Sequence, residues 1–252
     1  MLDAQAQLSL LVVAGFCAGV VDAIGGGGGL FTLPALLATG LGPHAALSTN
    51  KGQSCLGAAA SLATFLSRGG LDRERVPAGL ASGFAGAIAG ALLALAVSAE
   101  RLRPLVLILL GFAAVLLLFK QRLSQVTSGA RFSRARLSAL GLTIGAYDGF
   151  FGPGTGTLLI AAFSHFFGDS ATRASGNAKI VNFGSNLAAL VVFQLYGSIA
   201  WELALPMGLA NVLGANLGVR LALRHGDRLV RTVALAALAS VGAKLAYDLL
   251  AR

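Results

Sequence analysis

Long apolar runs rich in Leu, Ala and Val follow one another along the whole chain, separated by short polar joins. The runs at 7–24, 44–67, 76–98, 103–121, 137–151, 173–196, 200–223 and 229–250 approach or exceed the roughly 20 residues a helix needs to cross a bilayer. Two more, at 29–39 and 156–167, are too short to cross untilted. Only helices and closed barrels satisfy every backbone group in lipid, and barrel strands alternate apolar and polar positions, which these runs do not. The pattern predicts an all-α integral membrane protein of about ten transmembrane segments, two of them short. The first run follows MLDAQAQ, which carries no Lys or Arg, and no small-residue cleavage site follows it. It reads as a span rather than a removed signal peptide.

Composition agrees with this pattern. Of 252 residues, 56% are hydrophobic and 12% charged, too few charges to clothe a soluble core of that size. The formal net charge of +9 raises nucleic acid as a partner, but the Lys and Arg residues lie in short joins between apolar runs. Lipid headgroups and topology account for them there, so the expected partners are the bilayer and a small substrate, with no nucleic acid. With ten crossings, one side receives Arg68, Arg73, Arg75, Lys120, Arg122, Arg131, Arg134, Arg136, Arg173, Arg220, Arg224, Arg228 and Arg231, and the other only Arg101, Arg103 and Arg252. If the two short segments merely re-enter, the sides share the basic residues almost evenly. The positive-inside rule therefore predicts ten crossings with both termini extracytoplasmic.

The pattern G-x-x-D-x-x-G-G-x-G occurs at Gly19, Asp22, Gly25, Gly26 and Gly28, and returns with Pro and Thr interposed at Gly145, Asp148, Gly152, Gly154 and Gly156. Downstream come Ser48-Thr49-Asn50-Lys51 and Gly176-Asn177-Ala178-Lys179. Asp22 and Asp148 are 126 residues apart, and Lys51 and Lys179 are 128 apart, so the chain reads as a diverged duplication. The predicted parts are a first transmembrane repeat at 1–122, a basic cytoplasmic linker at 123–136 and a second repeat at 137–252. An odd number of crossings per half makes the second copy enter from the opposite side. Two inverted five-helix repeats result, an architecture that recurs in secondary transporters.

Five consecutive glycines, Gly25 to Gly29, free the backbone from the α conformation at the end of an apolar helix. The short helix that follows then turns its first N–H groups and positive dipole end toward the protein interior, which suits an anion. Gly152-Pro153-Gly154-Thr155-Gly156 repeats the device, with a threonine hydroxyl added. Close helix packing also uses glycine, but at every fourth residue rather than in a block. Lys51 and Lys179 each lie inside an apolar run, where an ammonium needs partners. Three readings stay open: snorkelling to the headgroups, a structural salt bridge to Asp22 or Asp148, or convergence of both lysines on one anion. Ser48, Thr49, Asn50, Gln53 and Ser54 in one half, and Asn177, Asn182, Ser185 and Asn186 in the other, surround them with amides and hydroxyls. These groups coordinate oxygens without demanding one geometry, or bond between helices. The candidate substrate-binding set is Gly28, Gly29, Thr49, Asn50, Lys51, Gly154, Thr155, Asn177, Lys179 and Asn182, with Asp22 and Asp148 as counter-charges or coupling groups.

Other chemistry lacks its signature. Tyr147-Asp148 matches half of an intramembrane aspartyl protease signature, but the partner G-x-G-D is missing. No Walker lysine follows a glycine at the required spacing, and no strand–helix unit surrounds either glycine run. Cys17 and Cys55 lie in apolar runs without a CxxC pair, and His44, His165 and His225 lack ligand spacing. Neither a metal nor a cofactor is expected, and no catalytic residue.

The segments GVVDAIGGGGGLFTLPALLATGLGPHAALSTNKGQS and GAYDGFFGPGTGTLLIAAFSHFFGDSATRASGNAKIVNFGSN resemble the sulfite exporter TauE/SafE family, over nearly the whole chain and in both repeats. The resemblance is to the branch described as probable membrane transporters. It implies a multi-pass permease of a prokaryotic cytoplasmic (inner) membrane, moving small sulfur-containing anions such as sulfite or organosulfonates, commonly outward. The expectation is a non-enzymatic secondary transporter working by alternating access; a homodimer is compatible with it. The alternatives are an anion channel, or an importer of another small organic anion coupled to H+.

Overall fold

The structure is a computed structural model that describes the backbone of residues 4–123 and 133–250, and the side chains of residues 4–113 and 133–225. Helix α1 (Ala4–Gly25) is followed by short α2 (Gly29–Ala38), α3 (Pro43–Arg68), a 3-10 turn (Arg73–Arg75), α4 (Val76–Ala96) and α5 (Ala99–Leu123). Then come α6 (Arg134–Phe150), short α7 (Thr155–Phe167), α8 (Ala171–Tyr196) and α9 (Trp201–Leu250). No strand occurs among the described residues. By length and composition, the helical stretches Ala4–Gly25, Arg73–Ala96 and Ala171–Tyr196 are long and apolar enough to cross a membrane.

Local chemistry explains the boundaries. Pro43 opens α3 after extended Gly42, and left-handed Gly69 closes it. Ser133 and Ser170 accept the N–H groups of Arg136 and Arg173 at the starts of α6 and α8. One expectation fails: 200–223 and 229–250 are not two helices, because α9 runs unbroken from Trp201 to Leu250. The join His225-Gly226-Asp227-Arg228 contains a single glycine, which costs a helix only about 1 kcal/mol and does not break it. The described residues therefore hold nine α-helices rather than ten. Most of the expected linker at 123–136, residues 124–132, lies outside the described residues.

Helices α1, α3 and α9 run side by side in one direction. Gly15 lies on Met207, Gly214 on Phe16 and Gly218 on Val20, while Gly52 faces Ala204 and Phe65 packs with Val219. Helices α4, α6 and α8 form a second parallel set, with Gly86 on Leu142, Gly90 on Ala146 and Gly79 on Ile180. The sets run oppositely: Gly176 near the start of α8 lies against Gly70 beyond the end of α3, and Gly197 beyond the end of α8 lies against Ser48 near the start of α3. The four most extensive helix contacts all fall within these sets, and each joins a helix before residues 124–132 to one after them. Because α1 and α3 are parallel, the chain must return between them. The ten residues of α2 make that return over about 15 Å, half of a hydrocarbon core roughly 30 Å thick. Helix α7 does the same between α6 and α8.

At one end of the bundle the α3–α4 and α7–α8 joins meet. Arg75 Nη1 lies 2.7 Å from Asp169 Oδ2 and its Nη2 3.2 Å from Asp72 Oδ2. Asn177 Nδ2 donates to both carboxylates, at 2.9 Å to Asp72 and 2.7 Å to Asp169, and its Oδ1 accepts the Asp72 N–H. The guanidinium carbon lies 4.9 Å from the centre of the Phe167 ring. Burial pushes the Asp169 carboxyl above the usual carboxylate range, against the downward pull of Asn177 and Arg75. At the other end Ala200 N–H donates to Thr49 Oγ1 at 3.0 Å.

Candidate anion site between the two helix breaks

Both breaks depend on glycine geometry. Gly26 (φ 75°), Gly27 (φ 98°), Gly152 (φ 99°) and Gly154 (φ 86°) adopt left-handed conformations that a Cβ disfavours. Turn bonds occupy the N–H groups of Leu30, Phe31 and Thr32, so Gly28 and Gly29 bring the positive end of α2 to the cavity wall. The breaks also touch each other. A Cβ on Gly26 would strike the backbone of Gly156 and Thr157, and one on Gly29 would come within 3.2 Å of Pro153 Cα.

The four ionisable residues pair crosswise. Lys51 Nζ lies 2.8 Å from Asp148 Oδ1, and Lys179 Nζ lies 2.7 Å from Asp22 Oδ2 and 2.5 Å from the Asp22 carbonyl. Asp148 Oδ2 also accepts the Ser185 hydroxyl and Asn186 Nδ2. With the lysines 2% and 0% exposed, snorkelling is excluded and the salt bridges are present. Two ammonium and two carboxylate groups leave this cluster with no formal net charge. The two pairs are not equivalent: the Asp22 side chain is 26% exposed, that of Asp148 only 2%.

Between the breaks lies a small, partly open polar cavity. Of the candidates read from the sequence, Asp22, Gly28, Gly29, Asn50, Lys51, Asp148, Gly154 and Asn182 line it. Thr49, Thr155, Asn177 and Lys179 do not. Thr49 anchors Ala200, Asn177 bonds with Asp72 and Asp169, Thr155 Oγ1 donates to the Gly152 carbonyl, and Lys179 is turned onto Asp22. Asn50 Nδ2 and the Asn182 amide have no protein partner among the described residues and lie at the wall, although both residues are more than nine-tenths buried. An amide nitrogen is a hydrogen-bond donor, so each leaves donors unused by the described residues.

Two residues of this region were not singled out in the sequence. Asn211 projects from α9 into the wall, and Thr32 of α2 donates to Asn50 Oδ1 at 2.6 Å. The signal for Asn211 is an amide within an apolar run, one of two with Asn216, since polar groups at membrane depth are expensive.

Apolar helices interrupted around a buried polar cavity are the anatomy of a membrane transporter. The chain belongs to the sulfite exporter TauE/SafE family, whose sequence model matches residues 11–245. It is 37% identical to "Probable membrane transporter protein ORF9" of Sinorhizobium sp, over 97% of this chain and 92% of that protein. It is 35% identical to "Probable membrane transporter protein YfcA" of Escherichia coli strain K12, over 96% of this chain and 90% of the relative. A "Probable membrane transporter protein" of Haemophilus influenzae shares 35% identity over 96% of this chain and 95% of its own length. No solved structure matches the chain. The protein is thus a membrane transporter rather than an enzyme.

Proposed function

We propose that the protein is a secondary transporter that exports small anions, sulfur-containing oxyanions such as sulfite or organosulfonates, across the cytoplasmic membrane. The observation that carries this reading is the buried cavity in which Asn50 Nδ2, the Asn182 amide and Lys51 face one space beside the N-terminus of α2. An inside-negative potential favours expelling an anion by about 2.3 kcal/mol per charge per 100 mV, so export needs no second ion.

The recurring contacts support an inverted repeat. Lys51–Asp148 mirrors Lys179–Asp22, and Thr49–Ala200 at one end mirrors Asn177–Asp72 at the other. Alternating access is then a movement between bodies that are not the two sequence halves. The helix contacts support one body of α1, α3 and α9 and another of α4, α6 and α8, each borrowing its fourth-position helix from the other repeat. The touching breaks support a site opened alternately over an open pore. A second reading is import with a proton. It is favoured by the zero formal charge of the four-residue cluster and by Asp22, the more exposed of the two carboxylates that line the cavity.

The test is uptake into proteoliposomes of sulfite, sulfoacetate, sulfate and formate. The expected result is saturable transport of sulfite or the sulfonate; unitary currents in a planar bilayer, or no saturable flux of any anion, overturns the proposal.

A further inference from the structure

Five side chains in and behind the cavity wall form a hydrogen-bonded relay with a direction. Asn211 Nδ2 on α9 donates to Gln53 Oε1 on α3 at 2.6 Å. With its oxygen used, Gln53 presents Nε2 to Asn50 Oδ1 at 3.0 Å and to Ser54 Oγ at 2.8 Å. Thr32 Oγ1 donates to the same Asn50 oxygen at 2.6 Å. Asn50 Oδ1 therefore accepts twice from the protein, and its Nδ2 is turned to the cavity. Ser54 Oγ, as an acceptor, keeps its O–H free to donate there as well. Asn50 and Ser54 stand four residues apart on one face of α3 and both line the cavity.

Reversing every amide would give the opposite wall, with Asn50 Oδ1 facing the substrate. The first link opposes that reversal. Asn211 fills the space beside Gly19 and Gly57, with Oδ1 against both: a Cβ on Gly19 would come within 2.7 Å of that oxygen, and one on Gly57 closer still. These glycines lie within α1 and α3, where helix bonds already use their backbone groups. An NH2 group placed there would meet no free acceptor on either glycine.

We infer that Asn211 is a specificity-determining residue that acts through Gln53 and Asn50, fixing the Asn50 and Ser54 part of the cavity wall as hydrogen-bond donors, which selects acceptor-only oxyanions over ligands that themselves donate while Asp148 and Asp22 stay engaged by Lys51 and Lys179. This inference rests on the proposed anion site and names how that site discriminates. Asn211 is a positioning residue, and its role is separable from packing because the relay has a second end at Thr32.

The experiment measures sulfite flux into proteoliposomes with methanesulfonate and methanesulfonamide as competitors. The two competitors share a shape, but the amide is neutral and donates where the sulfonate is an anion that only accepts, so the change of preference in the variants, rather than its wild-type value, reads the relay. Wild-type protein is expected to prefer methanesulfonate. Asn211→Leu removes the relay's first donor without adding charge, and is expected to raise the sulfite KM about five- to tenfold, keep the maximal rate within about twofold and narrow the preference between competitors. Thr32→Val removes the other donor to Asn50 Oδ1 with little change of shape. It moves KM and preference in the same direction, and it decides the matter if Asn211→Leu does not fold. Active wild type with unchanged KM and preference in Thr32→Val and in folded Asn211→Leu overturns the relay alone. Wild type without saturable anion flux overturns the transport proposal beneath it.

Discussion

Lys51 and Lys179 are each held by an aspartate from the other side of residues 124–132. The sequence disclosed both lysines and both aspartates, but not their pairing, because a partner 97 or 157 residues away is chosen by packing. Nor did it disclose that Lys51 lines the cavity while Lys179 does not. Removing one member of a buried pair typically costs about 3–5 kcal/mol, since the other charge stays behind unpaired. Lys51→Met is therefore expected to lower the thermal stability of the detergent-solubilised protein strongly, and Lys51→Met/Asp148→Asn to recover most of the loss. A single mutant as stable as wild type would contradict the pairing. Asp22 is the more exposed of the two carboxylates that line the cavity, and on the proton-coupled reading Asp22→Asn abolishes the pH dependence of flux. Flux that retains its pH profile in that mutant excludes Asp22 as the coupling group.

Among the elements, the helices were legible almost throughout, because long apolar runs and their Gly, Pro and Ser boundaries are local signals. The exception is α9, where a glycine and polar neighbours looked like a join but lack the strength to end a helix. The breaks were legible as breaks; their contact with each other was not. Gly26 and Gly40 separate conformation from contact, since both have positive φ but only Gly26 meets another backbone. Gly40→Ala is expected to cost roughly 1–2 kcal/mol and keep transport, whereas Gly26→Ala abolishes it. Equal activity in the two mutants would sink the assigned contact. In the α7–α8 join, the raised Asp169 carboxyl binds its proton more readily folded than unfolded. Its ionised form therefore disfavours folding above the raised value, and the penalty fades as pH falls through it. The stability of wild type relative to Asp169→Asn should rise on acidification; a gap that stays flat or moves oppositely contradicts the burial effect.

At the scale of the whole molecule, the recurrence of the glycine and lysine motifs was visible, yet the way helices before and after residues 124–132 interleave was not. Which helix packs on which depends on small residues at matching heights, such as Gly15 on Met207 and Gly86 on Leu142, and these carry no long-range label in sequence. If α1, α3 and α9 move as one body against α4, α6 and α8, cross-links have opposite effects by location. A disulfide between Ser48→Cys and Gly197→Cys, joining α3 to the end of α8, is expected to stop flux until reduced. One between Gly52→Cys and Ala204→Cys, within a single body, leaves it largely intact. On the proposed function, the cavity between the breaks binds the transported anion through Asn50 and Asn182 donors that have no other partner among the described residues. Sulfite flux in proteoliposomes carrying Asn50→Ala or Asn182→Ala tests it most directly, because neither residue belongs to an ion pair. A sulfite KM raised about tenfold or more is expected in each; wild-type KM in both would contradict the proposed site.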